Sequence, residues 1–213
     1  MKLEKEEILR KLLHLFALSM PVGIYYLPVY FSLSKWFPAV FLGIIFILSL
    51  TIEILRFKSA FIQKLFLKFF GSMMRKKEEF SITGSTYIIC SGFLCSLIFV
   101  NRPEIAFISL FSFILADAAA ALVGIEFGKI KIRNKSLEGS LACFFTAFVL
   151  IYFLFPGFTL VMENFKGSFS LKASAKISFL IALLEFYSLK FFKFEINDNL
   201  YVPVLCGIAI SFI

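Results

Sequence analysis

The chain is 213 residues long and 60% of them are hydrophobic, against roughly 45 to 50% in a soluble domain. Thirty-one Phe, seven Tyr and one Trp, with only 17% charged residues, exclude a disordered chain, a fibrous repeat and a disulfide scaffold. What remains is an integral membrane protein of the all-α class. The net charge of +8 raises nucleic acid as a partner, and the position of the bases decides that question.

About twenty apolar residues cross a bilayer as a helix. The first such stretch runs from near Ile8 to about Tyr30, with Pro21 as a kink that lipid tolerates. Glu4, Glu6 and Glu7 mix with the preceding bases and no small-residue cleavage site follows, so it reads as a retained helix rather than a signal peptide. The second span is expected from Trp36 to Leu55. Between Arg56 and Lys77, Phe57, Phe61, Ile62, Leu65, Phe66, Phe69 and Phe70 interleave with Lys58, Lys64 and Lys68 at helical spacing, the pattern of a helix lying in the interface of an anionic leaflet. Third and fourth spans, Gly84 to Val100 and Glu104 to about Val123, are joined by Asn101-Arg102-Pro103. A polar loop from Gly124 to Glu138 leads to a fifth span, Gly139 to Phe155, and the loop 156–171 to a sixth, Lys172 to about Leu189. Leu200 to Ile213 would rise only about 20 Å as a helix, short of the roughly 30 Å hydrocarbon core. The expected architecture is a polytopic transmembrane bundle: six full spans, a short C-terminal membrane segment and one cytoplasmic interfacial amphipathic helix, all in a single domain over residues 1–213. Cys90, Cys95, Cys143 and Cys206 lie in apolar runs with no CxxC pair and read as small buried side chains.

Of the 22 Lys and Arg residues, all but Lys35, Arg102, Lys166, Lys172 and Lys176 fall on one side of this topology. The positive-inside rule makes that side, and the N-terminus, cytoplasmic. The expected location is the cell (inner) membrane of a prokaryote. The charge then belongs to membrane topology, and nucleic acid drops out as a partner.

Ionisable groups in membrane helices cost about 2.5 to 3.5 kcal/mol each at the centre, so each needs a partner or a function. They gather at the cytoplasmic side: Arg10, Lys11 and His14 on the first helix, Glu53 and Arg56 closing the second, Arg75 and Glu78 ahead of Gly84-Ser85-Thr86-Tyr87, Asp117 in the fourth, Glu185 in the sixth, and Asp198-Asn199 before the last segment. A polar site built from several helices at that face follows. Asp117, Ala121, Gly124 and Gly128 share one helical face, where small residues admit either another backbone or a nucleotide. Lys129, Lys131 and Arg133 are either headgroup-solvated bases or phosphate ligands. Lys135-Ser136-Leu137-Glu138-Gly139-Ser140 leads into a helix start suited to phosphate. Carboxylates facing these bases suggest Mg²⁺ shared with substrate phosphates.

Arg10-Lys11-x-x-His14, Glu53-x-x-Arg56, Arg75-x-x-Glu78 with Thr83-Gly84-Ser85-Thr86-Tyr87, Asp117-x-x-Ala120-Ala121-x-x-Gly124-x-x-x-Gly128-Lys129, Lys135-Ser136-x-Glu138-Gly139-Ser140, and Glu185 followed by Asp198-Asn199-Leu200-x-x-Pro203 occur in this order over nearly the whole chain. In this it resembles the CTP-dependent lipid alcohol kinases, which include dolichol kinase, phytol kinase and the eukaryotic CTP-using diacylglycerol kinase. Where that family often has Gly before the central Asp this chain has Ala116, and where it often has a base after the next Gly it has Ile125. The resemblance implies transfer of the terminal phosphate of CTP to the hydroxyl of a polyprenol, dolichol, phytol or diacylglycerol. It implies that Arg10, Lys11, Asp117 and Gly124 are needed for activity, and that Lys135, Glu138, Asp198 and Asn199 belong to the nucleotide side.

On this reading Lys135, Arg10 and Lys11 hold the CTP phosphates, with Gly128, Lys129, Ser136, Gly139 and Asn199 around the nucleotide. Asp117 with Glu138 or Asp198 holds Mg²⁺, and another acid or His14 takes the alcohol proton. Two alternatives use similar residues: a Mg-dependent cytidylyltransferase making a CDP-lipid, and a non-enzymatic membrane protein or transporter. An outer half poor in acids argues against a conducted ion path.

Overall fold

The computed structural model describes residues 15–74, 76–132, 135–187, 189–191 and 194–213. Helix α1 is Ser19–Phe31, α2 Phe37–Lys58, α3 Ala60–Phe70, α4 Gly84–Ile98 and α5 Pro103–Glu126. A two-stranded hairpin of β1 (Lys131–Ile132) and β2 (Lys135–Ser136) precedes α6, Leu137–Val149, which continues through a π-helical turn at Leu150–Leu154. The short α7 (Thr159–Met162), α8 (Leu171–Phe186), a second small hairpin of β3 (Lys190–Phe191) and β4 (Phe194–Glu195), and α9 (Asp198–Ser211) complete the chain. The fold is a helical membrane bundle, and among the described residues strand structure is confined to those two antiparallel hairpins.

Three helical segments among the described residues are long and apolar enough to cross a membrane: Phe37–Lys58, Pro103–Glu126 and Leu137–Gly157. These match the expected second, fourth and fifth spans. The third, sixth and last are shorter, with 15 residues in α4, 16 in α8 and 14 in α9. At 1.5 Å per residue they rise about 21 to 24 Å. Packed in a bundle, a helix need not match the hydrocarbon thickness alone. The expected first span begins outside the described residues. Its described part turns at Ala17 and Leu18 and restarts as α1, because Pro21 has no N–H to return to the carbonyl of Ala17, which instead accepts from Met20 N at 3.0 Å.

Helix α5 is the hub. Apolar on every side, as expected of a helix buried all round, it places Ile105, Phe107, Ile108, Leu110, Phe113 and Ile114 at zero exposure. Helix α2, in contrast, leaves Phe41, Ile44, Ile47 and Leu48 exposed, as a lipid-facing wall does. At one end of the bundle an aromatic cluster joins Tyr25 and Phe107 to Phe155 and Phe158. The buried Glu104 there accepts from Arg102 Nε at 3.3 Å and Asn164 Nδ2 at 3.1 Å. The other end carries most of the acids of the sequence analysis. The expected interfacial helix is α3, shorter than the 56–77 pattern. It exposes Phe61, Phe69, Phe70, Lys64 and Lys68 and half-buries Phe66.

Candidate functional site

Acids from three helices converge on one lysine. Lys135, in β2, donates to Asp198 Oδ2 at 2.7 Å at the start of α9, and to the side chain and, at 2.6 Å, the backbone carbonyl of Glu185 near the end of α8. Asp117, from the second half of α5, completes the group: carboxylate oxygens of Asp117, Glu185 and Asp198 lie within 4.8 Å of one another. Burial alone would lower the pKa of the Lys135 ammonium. The carboxylates of Asp198, Glu185 and Asp117 outweigh it and raise the pKa above the ordinary lysine value.

The carboxylate that joins Asp117 and Asp198 is therefore Glu185, buried at 5% exposure, and not Glu138. Glu138 turns back along the β-hairpin, where it accepts from the backbone N–H of Ile130 at 3.2 Å. Sequence reasoning placed both acids at this face, and nothing in the spacing ranked them. The helix start at α6 is also self-sufficient. Ser136 caps it by accepting from Gly139 N at 3.1 Å, and Leu137 N donates to the Ile130 carbonyl at 3.0 Å, so these two N–H groups have protein acceptors.

The glycines bring α5 and α6 together backbone to backbone. A Cβ on Gly128 would lie 2.2 Å from the Gly124 carbonyl and 2.8 Å from Ser136 Oγ. One on Gly124 would meet Ser136 Oγ at 2.9 Å, and one on Gly139 would meet the Ala120 carbonyl at 2.7 Å. Of the two readings of the small-residue face, its neighbour is thus another helix backbone. Lys129 and Lys131 are exposed beyond it. Arg10, Lys11, His14, Arg75 and Arg133 lie outside the described residues.

A second buried polar group stands beside the first. Arg56 has no exposed surface and Glu53 only 2%. The Arg56 guanidinium donates to Glu53 Oε2 at 2.6 Å and to the carbonyls of Glu78 at 3.0 Å and Ser81 at 2.7 Å, while its face lies over the Phe57 and Phe66 rings. Glu53 Oε1 accepts from Thr83 N at 3.0 Å, Thr83 Oγ1 at 2.5 Å and Thr86 Oγ1 at 3.1 Å. One ion pair at the end of α2 therefore fixes the 78–83 loop and the start of α4. Asn199 ties that start to α9, with Nδ2 3.2 Å from the Gly84 carbonyl. The helix-end pairing of Glu53 and Arg56 was legible at i, i+3 spacing, but the threonines, some thirty residues distant, carried no local signal.

Between α1, α2 and α4 lies a cavity of about 770 Å³, within the range of small-molecule sites. Its polar end is formed by Glu53, Thr83, Thr86, Asp117, Asp198 and Asn199, its walls by Met20, Ile24, Leu27, Leu42, Ile45 and Ile88, and Phe66, Phe70 and Met74 also line it. Asp117 and Asp198 thus face both Lys135 and an apolar chamber. The combination suits an amphiphile whose polar group reacts and whose remainder is hydrocarbon.

No protein-family model matches the chain, and no solved structure matches it. The chain is similar to CTP-dependent diacylglycerol kinase 1 of Saccharomyces cerevisiae, 27% identical over 97% of this chain and 73% of that one. It is also similar to CTP-dependent diacylglycerol kinase 1 of Schizosaccharomyces pombe, 27% identical over 95% and 91% of the respective chains. An uncharacterized protein of Rickettsia prowazekii is 29% identical over 92% of this chain and 88% of its own length.

Proposed function

We propose that this protein is a CTP-dependent lipid kinase, transferring the terminal phosphate of CTP to the hydroxyl of a membrane lipid alcohol, with diacylglycerol as the first acceptor to test. The observation that carries the reading is that Asp117 and Asp198, members of a cluster with Glu185 and Lys135, line an apolar chamber one wall of which is the candidate membrane helix α2. The diacylglycerol kinases matched over nearly the whole chain support CTP as donor. The acceptor oxygen attacks the terminal phosphorus, the bond from that phosphorus to the bridging oxygen breaks, CDP departs, and the alcohol proton passes to a base or to water. Such a transfer is mainly positioning and charge neutralisation.

Two carboxylates from separate helices, Asp117 and Asp198, both facing the chamber, fit a hard cation that takes one or two carboxylates and shares its remaining positions with phosphate. Mg²⁺ held there would neutralise charge on the phosphate oxygens. Glu185 holds Lys135 at the same point, and Lys135, with the exposed Lys129 and Lys131, supplies positive charge on the nucleotide side. Arg10, Lys11 and His14 remain part of the proposal by resemblance, with Gly124, Gly128, Ser136 and Gly139 as the backbone crossing that holds Lys135 in place. Glu53, saturated by donors from Arg56, Thr83 and Thr86, positions the polar end and does not serve as a base. The polar end faces the cytoplasm, with the N-terminus on the same side, in the inner membrane of a prokaryotic cell.

Labelled nucleotide tests the reading. Purified protein given diacylglycerol, a polyprenol or phytol should pass label to lipid from gamma-labelled CTP and not from alpha-labelled CTP. Incorporation of the alpha label alone would establish a cytidylyltransferase, and incorporation of neither would end the kinase reading.

A further inference from the structure

Phosphoryl transfer uses only the polar end of the cavity and leaves its apolar arm unexplained. That arm starts at the carboxylates and follows α2 from Glu53 to Phe37, about 24 Å at 1.5 Å per residue. Half the hydrocarbon core of a bilayer is only about 15 Å. The arm therefore extends beyond the depth of one leaflet. It is also open at the side: Phe41 and Leu48 line it and yet remain 48% and 58% exposed. A lipid tail can enter from the bilayer without leaving a hydrocarbon environment.

Because the tail passes from one apolar medium to another, burial supplies little affinity. Selection among tails must then come from steric exclusion. Gly23 on α1 is placed to set that limit. It lines the cavity one turn beyond Ser19, and a Cβ there would meet only Leu27 Cδ1, at an ordinary 3.5 Å. The glycines that pack helices against one another differ. At Gly43 the added atom would press on Phe93 at 3.1 Å, and at Gly92 on Met20 Sδ at 2.9 Å. Side-chain bulk at position 23 has open space, and that space is the groove.

We propose that the groove between α1 and α2 holds one hydrocarbon tail of the acceptor lipid, and that Gly23 is the specificity-determining position that sets how far the tail enters. This rests on the lipid-kinase reading of the same cavity. Gly23 lies two residues from Tyr25 of the aromatic cluster, toward the end of the groove away from the carboxylates, so a larger residue there shortens the groove from its far end: a short tail still fits and a long one is expelled.

The test uses full-length protein in mixed micelles with gamma-labelled CTP, comparing dioctanoylglycerol with dioleoylglycerol. Gly23→Phe should raise the short-to-long ratio of kcat/KM by about tenfold or more, the scale of steric discrimination in an apolar pocket. The KM for CTP should be unchanged, and Gly23→Ala should shift the ratio only slightly. An unchanged ratio, or an equal loss for both lipids, would overturn the proposal. Photo-crosslinking of the wild-type chain by diacylglycerol carrying a diazirine midway along one tail reads occupancy without turnover. Adducts on α1 and α2 are expected, and adducts confined to α8 or absent altogether would overturn it. Adducts on α1 and α2 without any phosphorylated lipid would uphold the groove and refute the kinase reading alone.

Discussion

Lys135 and Asp198, 63 residues apart in sequence, meet at 2.7 Å, and the contact joins the β-hairpin before α6 to the first residue of α9. The same ammonium holds the buried Glu185 carboxylate. Removing it as Lys135→Met should therefore do two separable things. Activity should fall by on the order of 100-fold or more, as when a positioned charge is lost from a phosphoryl-transfer site. Thermal stability in detergent should also fall, because a buried carboxylate is left without its cation. Adding Glu185→Gln to Lys135→Met should restore the melting temperature without restoring turnover, a double-mutant cycle that divides structure from chemistry.

The pH dependence of this pair has a defined sign. The folded-state pKa of Lys135 is raised above the ordinary lysine value. Its contribution to stability is therefore complete below that ordinary value and is lost only as pH rises through the raised one. Thermal unfolding of the wild type and of Lys135→Met, followed from pH 6 to about 10, should keep a constant separation in melting temperature.

Asp117→Asn and Asp198→Asn address the cation. If these carboxylates share Mg²⁺ with the nucleotide, chelation should abolish turnover by the wild type and added Mg²⁺ should restore it. Each amide variant should need about tenfold or more extra Mg²⁺ for half-maximal rate, the lower end of the effect of losing a metal-supporting group. Glu138→Gln, which alters a group bonded to the Ile130 backbone, should leave the Mg²⁺ requirement unchanged.

Arg56→Met tests the second polar group. It strands a Glu53 carboxylate of 2% exposure and deprives the 78–83 loop of its anchor, for a loss of about 3 to 5 kcal/mol. Limited proteolysis should cut the variant within residues 78–83 at a concentration of protease that spares the wild type.

The glycine crossing makes a graded prediction. Gly128→Ala places a methyl group 2.2 Å from a carbonyl oxygen, whereas Gly124→Ala contacts the Ser136 hydroxyl at 2.9 Å. Both are overpacked, at a cost of about 1 to 3 kcal/mol, and Gly128→Ala should be the worse. Folded Gly124→Ala should retain the wild-type KM for CTP if the glycine serves packing alone, and a raised KM would mark direct contact with nucleotide.

Composition and hydropathy by themselves determined that this is a helical membrane protein, because a chain with 60% hydrophobic residues has no aqueous solution for its surface. Periodicity located α3 as an amphipathic helix, and the distribution of acids placed the polar site at one end of the bundle. Spacing also identified Glu53 with Arg56, whose pairing needs only one turn of helix. What remained to tertiary structure were the choices among residues that local rules treat alike. Glu185 rather than Glu138 reaches Asp117, because the end of α8 and the start of α9 converge on Lys135 while Glu138 closes its own hairpin. The Ala120 and Gly124 face receives the backbone of α6 at Gly139, and Gly128 receives the Ser136 side chain, contacts that depend on how the two helices cross and not on the period of either. The cavity likewise belongs to no single helix: it arises from the separation of α1, α2 and α4, and only there do the carboxylates acquire an apolar chamber.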